Sequence, residues 1–178
     1  MKSILFALSC LLISVTCSAQ SFLTKDGSVE FLSRVPLHSF SGESSSLNGR
    51  VSLEEGTVDF YIDLETSKTG IGKRDKDMRK VLETKEFPFA EFVGTLDPAF
   101  ELQPGDSKPV RVSGVFSMHG IDRSIEVEGS LVYVEAGLEL EAAWTIRLED
   151  YDIEPPRLLI MKVDQEQKIS IRATLLPE

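Results

Sequence analysis

Leu138-Glu139-Leu140-Glu141-Ala142-Ala143-Trp144-Thr145-Ile146-Arg147-Leu148 alternates apolar and mostly polar side chains with a period of two. Leu138, Leu140, Ala142, Trp144, Ile146 and Leu148 share one face, with Glu139, Glu141, Thr145 and Arg147 on the other. That is the signature of a strand with one wet and one dry side. The pattern recurs in both directions along the chain. Thr57 to Leu64 puts Val58, Phe60, Ile62 and Leu64 together. Val110 to Met118 aligns Val110, Val112, Gly114, Phe116 and Met118, and Ile125 to Tyr133 aligns Ile125, Val127, Leu131 and Tyr133. Ile169, Ile171, Ala173 and Leu175 close the series. Turn signals at Asp26-Gly27, Asn48-Gly49, Glu55-Gly56, Pro104-Gly105-Asp106 and Ala136-Gly137 punctuate the runs. About eight antiparallel strands around one interior are expected. Alternation alone does not choose between a sandwich and a barrel; closure into a barrel removes exposed strand edges, and eight strands leave an interior that is either filled or holds one ligand.

One segment breaks the pattern. Thr69 to Phe92 holds a glycine-bearing turn, a charged amphipathic stretch and a re-entry through Phe87-Pro88-Phe89. Lys73 to Glu83 is the best helix candidate, because Met78, Val81 and Leu82 can share a face. Pro88 then returns the chain to extended geometry. The segment is expected to lie as a lid across the end of a barrel.

The N-terminus is read as an export leader. Lys2 gives a small positive region, Ile4 to Val15 an apolar stretch, and Thr16-Cys17-Ser18-Ala19 small residues for cleavage after Ala19. The apolar stretch falls short of the roughly 20 residues that span a bilayer. Neither Cys10 nor Cys17 sits in a lipoprotein-type sequence. The division expected is a signal peptide over residues 1–19 and one β-barrel domain over 20–178. Both cysteines leave with the leader, so the exported domain has no disulfide and no thiolate. The formal charge is −10, and loss of Lys2 takes it to about −11. Such a surface repels phosphate backbones, which argues against nucleic-acid binding, and disfavours adhesion to an anionic bilayer through a basic patch; with no second apolar run, stable membrane insertion is not expected.

The chemistry-bearing residues are sparse. No Gly-x-Ser-x-Gly, phosphate loop, dinucleotide fingerprint or His-Glu-x-x-His occurs. Asp150, Asp152 and Glu154 could be argued as an acid pair, but they read more simply as exposed loop charges. Two histidines without cysteines do not make a zinc site, and no cofactor or metal is expected. His38 reads as a rim residue. His119 is out of phase with Phe116 and Met118 and suits a turn. Arg74 is either half of a staple with Asp75 or another acid, or a forked donor toward a ligand oxygen. Arg123 reads as a turn residue.

A further pattern runs through the whole chain beyond the leader. Gly27-Ser28-Val29-Glu30-Phe31 leads to Pro36-Leu37-His38-Ser39-Phe40-Ser41-Gly42. Asp63-Leu64, Thr69-Gly70 and Arg74-Asp75-Lys76-Asp77-Met78 follow. Then come Phe87-Pro88-Phe89-Ala90-Glu91-Phe92, Gly114-Val115-Phe116-Ser117-Met118-His119-Gly120 and Tyr151-Asp152-Ile153. In this order the series resembles the YceI-like family. The resemblance implies a lipocalin-like antiparallel barrel with a long apolar pore and a short helical lid. It also implies a ligand that is a polyisoprenoid, an isoprenoid quinone or another long amphiphile such as a fatty-acid derivative. It implies an exported, periplasmic or secreted, non-enzymatic protein. The pore would be lined by Phe60, Ile62, Leu64, Phe92, Phe116, Leu140, Trp144 and Ile146, with Arg74 and His119 as candidates for the head group. The chain departs from many relatives at Asp77, where they carry histidine, so a role tied to that histidine does not carry over. On residue types alone the same apolar face could be a filled core in a β-domain with a surface site for sugar or protein. The sequence leaves the oligomeric state open, a homodimer included.

Overall fold

The computed structural model describes residues 21–35, 38–96, 100–155, 157–158 and 161–178. The leader, read above as ending at Ala19, lies outside them. Eight strands form a closed antiparallel barrel: β1 Ser21–Val35, β2 His38–Ser52, β3 Thr57–Asp63, β4 Phe89–Leu96, β5 Ser107–Met118, β6 Ile121–Val134, β7 Gly137–Arg147 and β10 Glu166–Pro177. Each pairs with its sequence neighbour around the wall, and β1 pairs with β10 to seal it. A small separate hairpin of β8 Arg157–Leu158 and β9 Met161–Lys162 sits between β7 and β10. One α-helix, α1 Gly72–Val81, interrupts the strand sequence between β3 and β4. This is the lipocalin-like architecture that the resemblance implies, with the lid where the sequence put it.

The alternation sets the wall. In β3 and β4 buried and exposed residues alternate without a break, with Phe60, Ile62, Ala90 and Phe92 inside. A one-residue slip in either strand would turn this set to solvent, so register is strongly fixed. The outer face carries cross-strand ion pairs, such as Arg172 with Glu141 on β10 and β7.

The two longest strands differ from the turn reading. Asp26-Gly27 and Asn48-Gly49 are not hairpin turns; they lie inside β1 and β2. Gly27 sits at a bulge, where the register of β1 shifts against both neighbours. Gly49 faces inward opposite Phe60, and a Cβ there would lie 2.0 Å from the Phe60 ring. Phe31 stands in the same relation to Gly42, at 2.3 Å. These glycines make room for aromatic rings lying across the inner wall. A two-residue turn does occur at His119-Gly120, where both residues have positive φ (54° and 74°), the conformation that suits the twist of a tight hairpin.

Candidate functional site

The interior is hollow over much of its length. A cavity of about 220 Å³ runs down the barrel axis. A single water needs about 10–15 Å³ of such space, so this is a chamber rather than a packing fault. Its wall is apolar and comes from all eight barrel strands. Phe60, Ile62, Leu64, Phe92, Phe116, Leu140, Trp144 and Ile146 all line it. Alternation brings them there, since each sits on the inward face of β3, β4, β5 or β7 or, for Leu64, in the 3₁₀ turn that follows β3.

The structure adds a second half of the wall beyond the eight pore candidates, although alternation already places Ile169 and Ile171 on an apolar face. Val29 and Phe31 of β1, Phe40 of β2, and Ile169 and Ile171 of β10 also face the chamber. Phe31 and Phe40 meet edge to face, 6.4 Å between ring centres. The signal that could have found Phe31 is Gly42, its inward cross-strand partner.

The lid closes the end where β3 leaves the barrel. Met78 and Val81 of α1, together with Leu82 just beyond it, line the chamber from above. The helix is held by polar contacts along its flanks. Asp75 is buried and accepts hydrogen bonds from the Thr69 amide (2.8 Å) and hydroxyl. Arg74 Nη2 donates to the Thr69 carbonyl at 2.8 Å. The Arg-Asp pair therefore does not staple the lid by pairing with itself; it grips both polar groups of the Thr69 backbone. The Thr69 hydrogen bonds, with smaller help from Arg79 and Arg74, hold the Asp75 carboxyl below its ordinary value against the opposing effect of burial. One residue earlier, Lys68 pairs through its backbone with Glu43 of β2 (2.8 Å each way). At the other flank, Arg79 donates to the Glu65 carbonyl and Thr84 to the Glu65 carboxylate.

The two head-group candidates are placed differently. Arg74 lines the chamber, with its guanidinium 4.3 Å above the Phe40 ring. Among the described residues no carboxylate lies within ion-pair distance of it. Asp77, in the position where many relatives carry histidine, also lines the chamber. His119 is not among the chamber-lining residues. Its Nδ1 lies 2.9 Å from the Tyr151 carbonyl, its Nε2 3.3 Å from a Glu83 carboxylate oxygen, and its ring 4.8 Å from that of Phe87. It ties the β5–β6 turn to the 3₁₀ turn Leu148–Tyr151 and to the end of the lid. Arg123 serves the same region, with its Nε donating to the Asp150 carbonyl at 2.8 Å. Asp150, Asp152 and Glu154 are exposed on that outer turn and do not line the chamber. The side chain of His38 lies outside the described residues.

A buried polar set stands out in this apolar interior. Ser33 Oγ, Arg74 Nε and Trp144 Nε1 are buried without a protein hydrogen-bond partner among the described residues, and all three residues line the chamber.

Comparison with known proteins agrees with this geometry. No curated protein matches the chain. Among solved structures, a polyisoprenoid-binding domain from Saccharophagus degradans, implicated in plant cell wall breakdown, superposes with a TM-score of 0.79 at 21% identity. The match covers 90% of this chain and 99% of that one. Burkholderia cenocepacia BcnA superposes with a TM-score of 0.71 at 15% identity, covering 85% and 96%. At these identities the likeness is one of fold. The family model of the YceI-like domain matches residues 21–175, and the chain belongs to that family.

Proposed function

We propose that this protein binds a long-chain amphiphile, with the tail in the barrel chamber and the polar head toward the lid. The observation that carries the reading is the chamber itself, about 220 Å³ and lined by apolar side chains from every barrel strand and the lid. A filled interior, the main alternative, does not suit that void. Each buried methylene is worth about 0.8 kcal/mol. A tail of about ten carbons would therefore supply about 8 kcal/mol before the costs of association. Few polar contacts are needed beyond that. The ligand is a polyisoprenoid, an isoprenoid quinone or a fatty-acid derivative. The polyisoprenoid-binding domain that shares the fold supports the first of these. The protein acts as a carrier or store, not a catalyst, and works after export and cleavage behind Ala19.

Native mass spectrometry of protein purified without detergent tests the binding. A one-to-one long-chain adduct, released and identified by mass, is expected. Bare protein that also takes up no prenyl lipid, quinone or fatty amphiphile on titration would refute the reading. Sequencing the N-terminus of protein from the periplasmic fraction tests the export, with Gln20 expected as the first residue.

A further inference from the structure

The three unpartnered polar atoms in the chamber are not scattered. Ser33 is the cross-strand partner of Phe40 on one side and of Gln167 on the other. Arg74 lies over that same Phe40 ring. Gln167 is in turn opposite Ile146, and two residues further along β10 Ile169 is opposite Trp144. Ser33 of β1, Trp144 of β7 and Arg74 of the lid helix thus all lie toward the lid end of the chamber, the two wall residues linked through β10. Ser33 is only 1% exposed. A buried polar group without a partner costs stability and calls for an explanation. Gln167 does not supply the missing partner: its Nε2 donates to the Asp164 carbonyl at 2.8 Å, and none of the three atoms hydrogen-bonds to its Oε1.

The inventory of the patch is lopsided. An indole N–H and a guanidinium N–H can only donate, and a serine hydroxyl can donate or accept. What they lack is an acceptor. Arg74 is the one cation among the described lining residues, and Asp77 of the lid lines the chamber too, whereas Glu91 lies on the exposed face of β4. A multiply charged phosphate head would meet one positive side chain, offset by one negative side chain. A neutral or singly charged oxygen acceptor meets no such opposition.

We infer that the lid-end patch of Ser33, Arg74 and Trp144 is a subsite for a carbonyl-type oxygen on the ligand, whether ketone, quinone, amide or carboxyl. The inference rests on the amphiphile-binding reading and narrows it. The chamber takes chains that carry such an oxygen at the end nearest the lid, and prefers them to the matching hydrocarbon. Trp144 reads the oxygen through its indole edge, while its ring packs edge to face against Phe116, 5.8 Å between centres.

The test is a displacement titration with 2-dodecanone and dodecane against a bound naphthylamine dye, on wild type, Trp144→Phe and Ser33→Ala. Phenylalanine keeps an aromatic ring and removes the donor. Thermal unfolding of each variant confirms that it is folded. Wild type is expected to bind the ketone about two- to tenfold more tightly than the alkane, the range of one or two net hydrogen bonds. In Trp144→Phe and Ser33→Ala the ratio is expected to fall toward one, with the alkane affinity little changed. Equal affinities in wild type, with both compounds bound, would overturn the subsite and leave the amphiphile reading standing. A preference that survives in both variants would overturn it as well. Failure of the dye and both chains to bind would remove the amphiphile reading, and the subsite with it.

Discussion

At the floor of the barrel Leu138 of β7 and Leu175 of β10 are cross-strand partners, and each is 0% exposed. Phe22, Leu53 and Leu102 pack around them at 1–2%, and the Tyr133 ring meets Phe22 edge to face at 5.4 Å. None of these six lines the chamber. At the lid end Leu64, Met118 and Leu148 are also core residues, yet they keep 7–8% of their surface, and all three line the void. The floor is closed by interlocking side chains from strands far apart in sequence. The lid end is closed by a ten-residue helix whose anchors are hydrogen bonds to backbone groups. One end is densely packed and the other is a void covered by a single helix. The same alternating pattern produces both, because alternation decides which face is apolar and not whether opposing faces touch.

The largest expected effect is at the floor. Leu138→Ala would open a cavity in a site with no free volume and is expected to cost about 3–5 kcal/mol in urea unfolding. Leu140→Ala, two residues away and already facing the chamber, is expected to cost less than half of that. Equal losses would break the comparison. Leu140→Trp turns the argument round. In a packed core overfilling costs about 1–3 kcal/mol. Here the larger ring has space to enter, so stability is expected to change by less than about 1 kcal/mol while long-chain ligand uptake is lost. A folded variant with unchanged uptake would show that the chamber is not the binding site.

The lid should respond to acid before the floor does. The Asp75 carboxyl is held below its ordinary value of 3.8. Its contribution is therefore complete above that value and is lost as pH falls through the lower folded one. Protection of the amides across residues 69–82, taken relative to the intrinsic exchange rate at each pH, is expected to fall as the pH drops below that ordinary value while the amides of Leu138 and Leu175 stay protected. Asp75→Asn should quicken lid exchange at neutral pH and flatten its response to acid. Simultaneous loss of protection at both ends would mean that the lid is not an independent unit. The smallest effect is expected on the outside, where Glu141→Gln removes the exposed partner of Arg172. Stability should stay within about 0.5 kcal/mol, and a larger change in urea unfolding would show that the outer charges brace the barrel.

Much of this architecture was legible in the residues. Strands β3, β5, β6, β7 and β10 follow from clean alternation, and the lid follows from Met78, Val81 and Leu82 at helical spacing. The first two strands were harder to see because their glycines imitate turns. At Asn48-Gly49 a hairpin dipeptide lies mid-strand, and the reason is the Phe60 ring above it, a contact between positions eleven apart that no local rule reports. Phe31, Val29 and Phe40 were missed as wall residues for the same cause. The site was legible in kind rather than in arrangement. The need of Trp144 for a hydrogen-bond partner can be read from its chemistry. That Ser33 shares its patch depends on β1 pairing with β10, which only closure of the barrel brings about. His119 shows the converse. Its place in a two-residue turn was readable from its phase, and the structure engages it there with Tyr151 and Glu83.

The seam between β1 and β10 has a consequence in time. Its register joins Phe22 to Pro177 and Phe31 to Ile169, contacts that span nearly the whole chain. Until the last strand is available, β1 lacks one neighbour and β7 lacks the other, so a nascent chain has two raw edges and no enclosed space. Folding must wait for the far end, and contacts of such long sequence separation form slowly. The enclosed space of the barrel then comes into being only when the final strand is paired, as the last event of assembly.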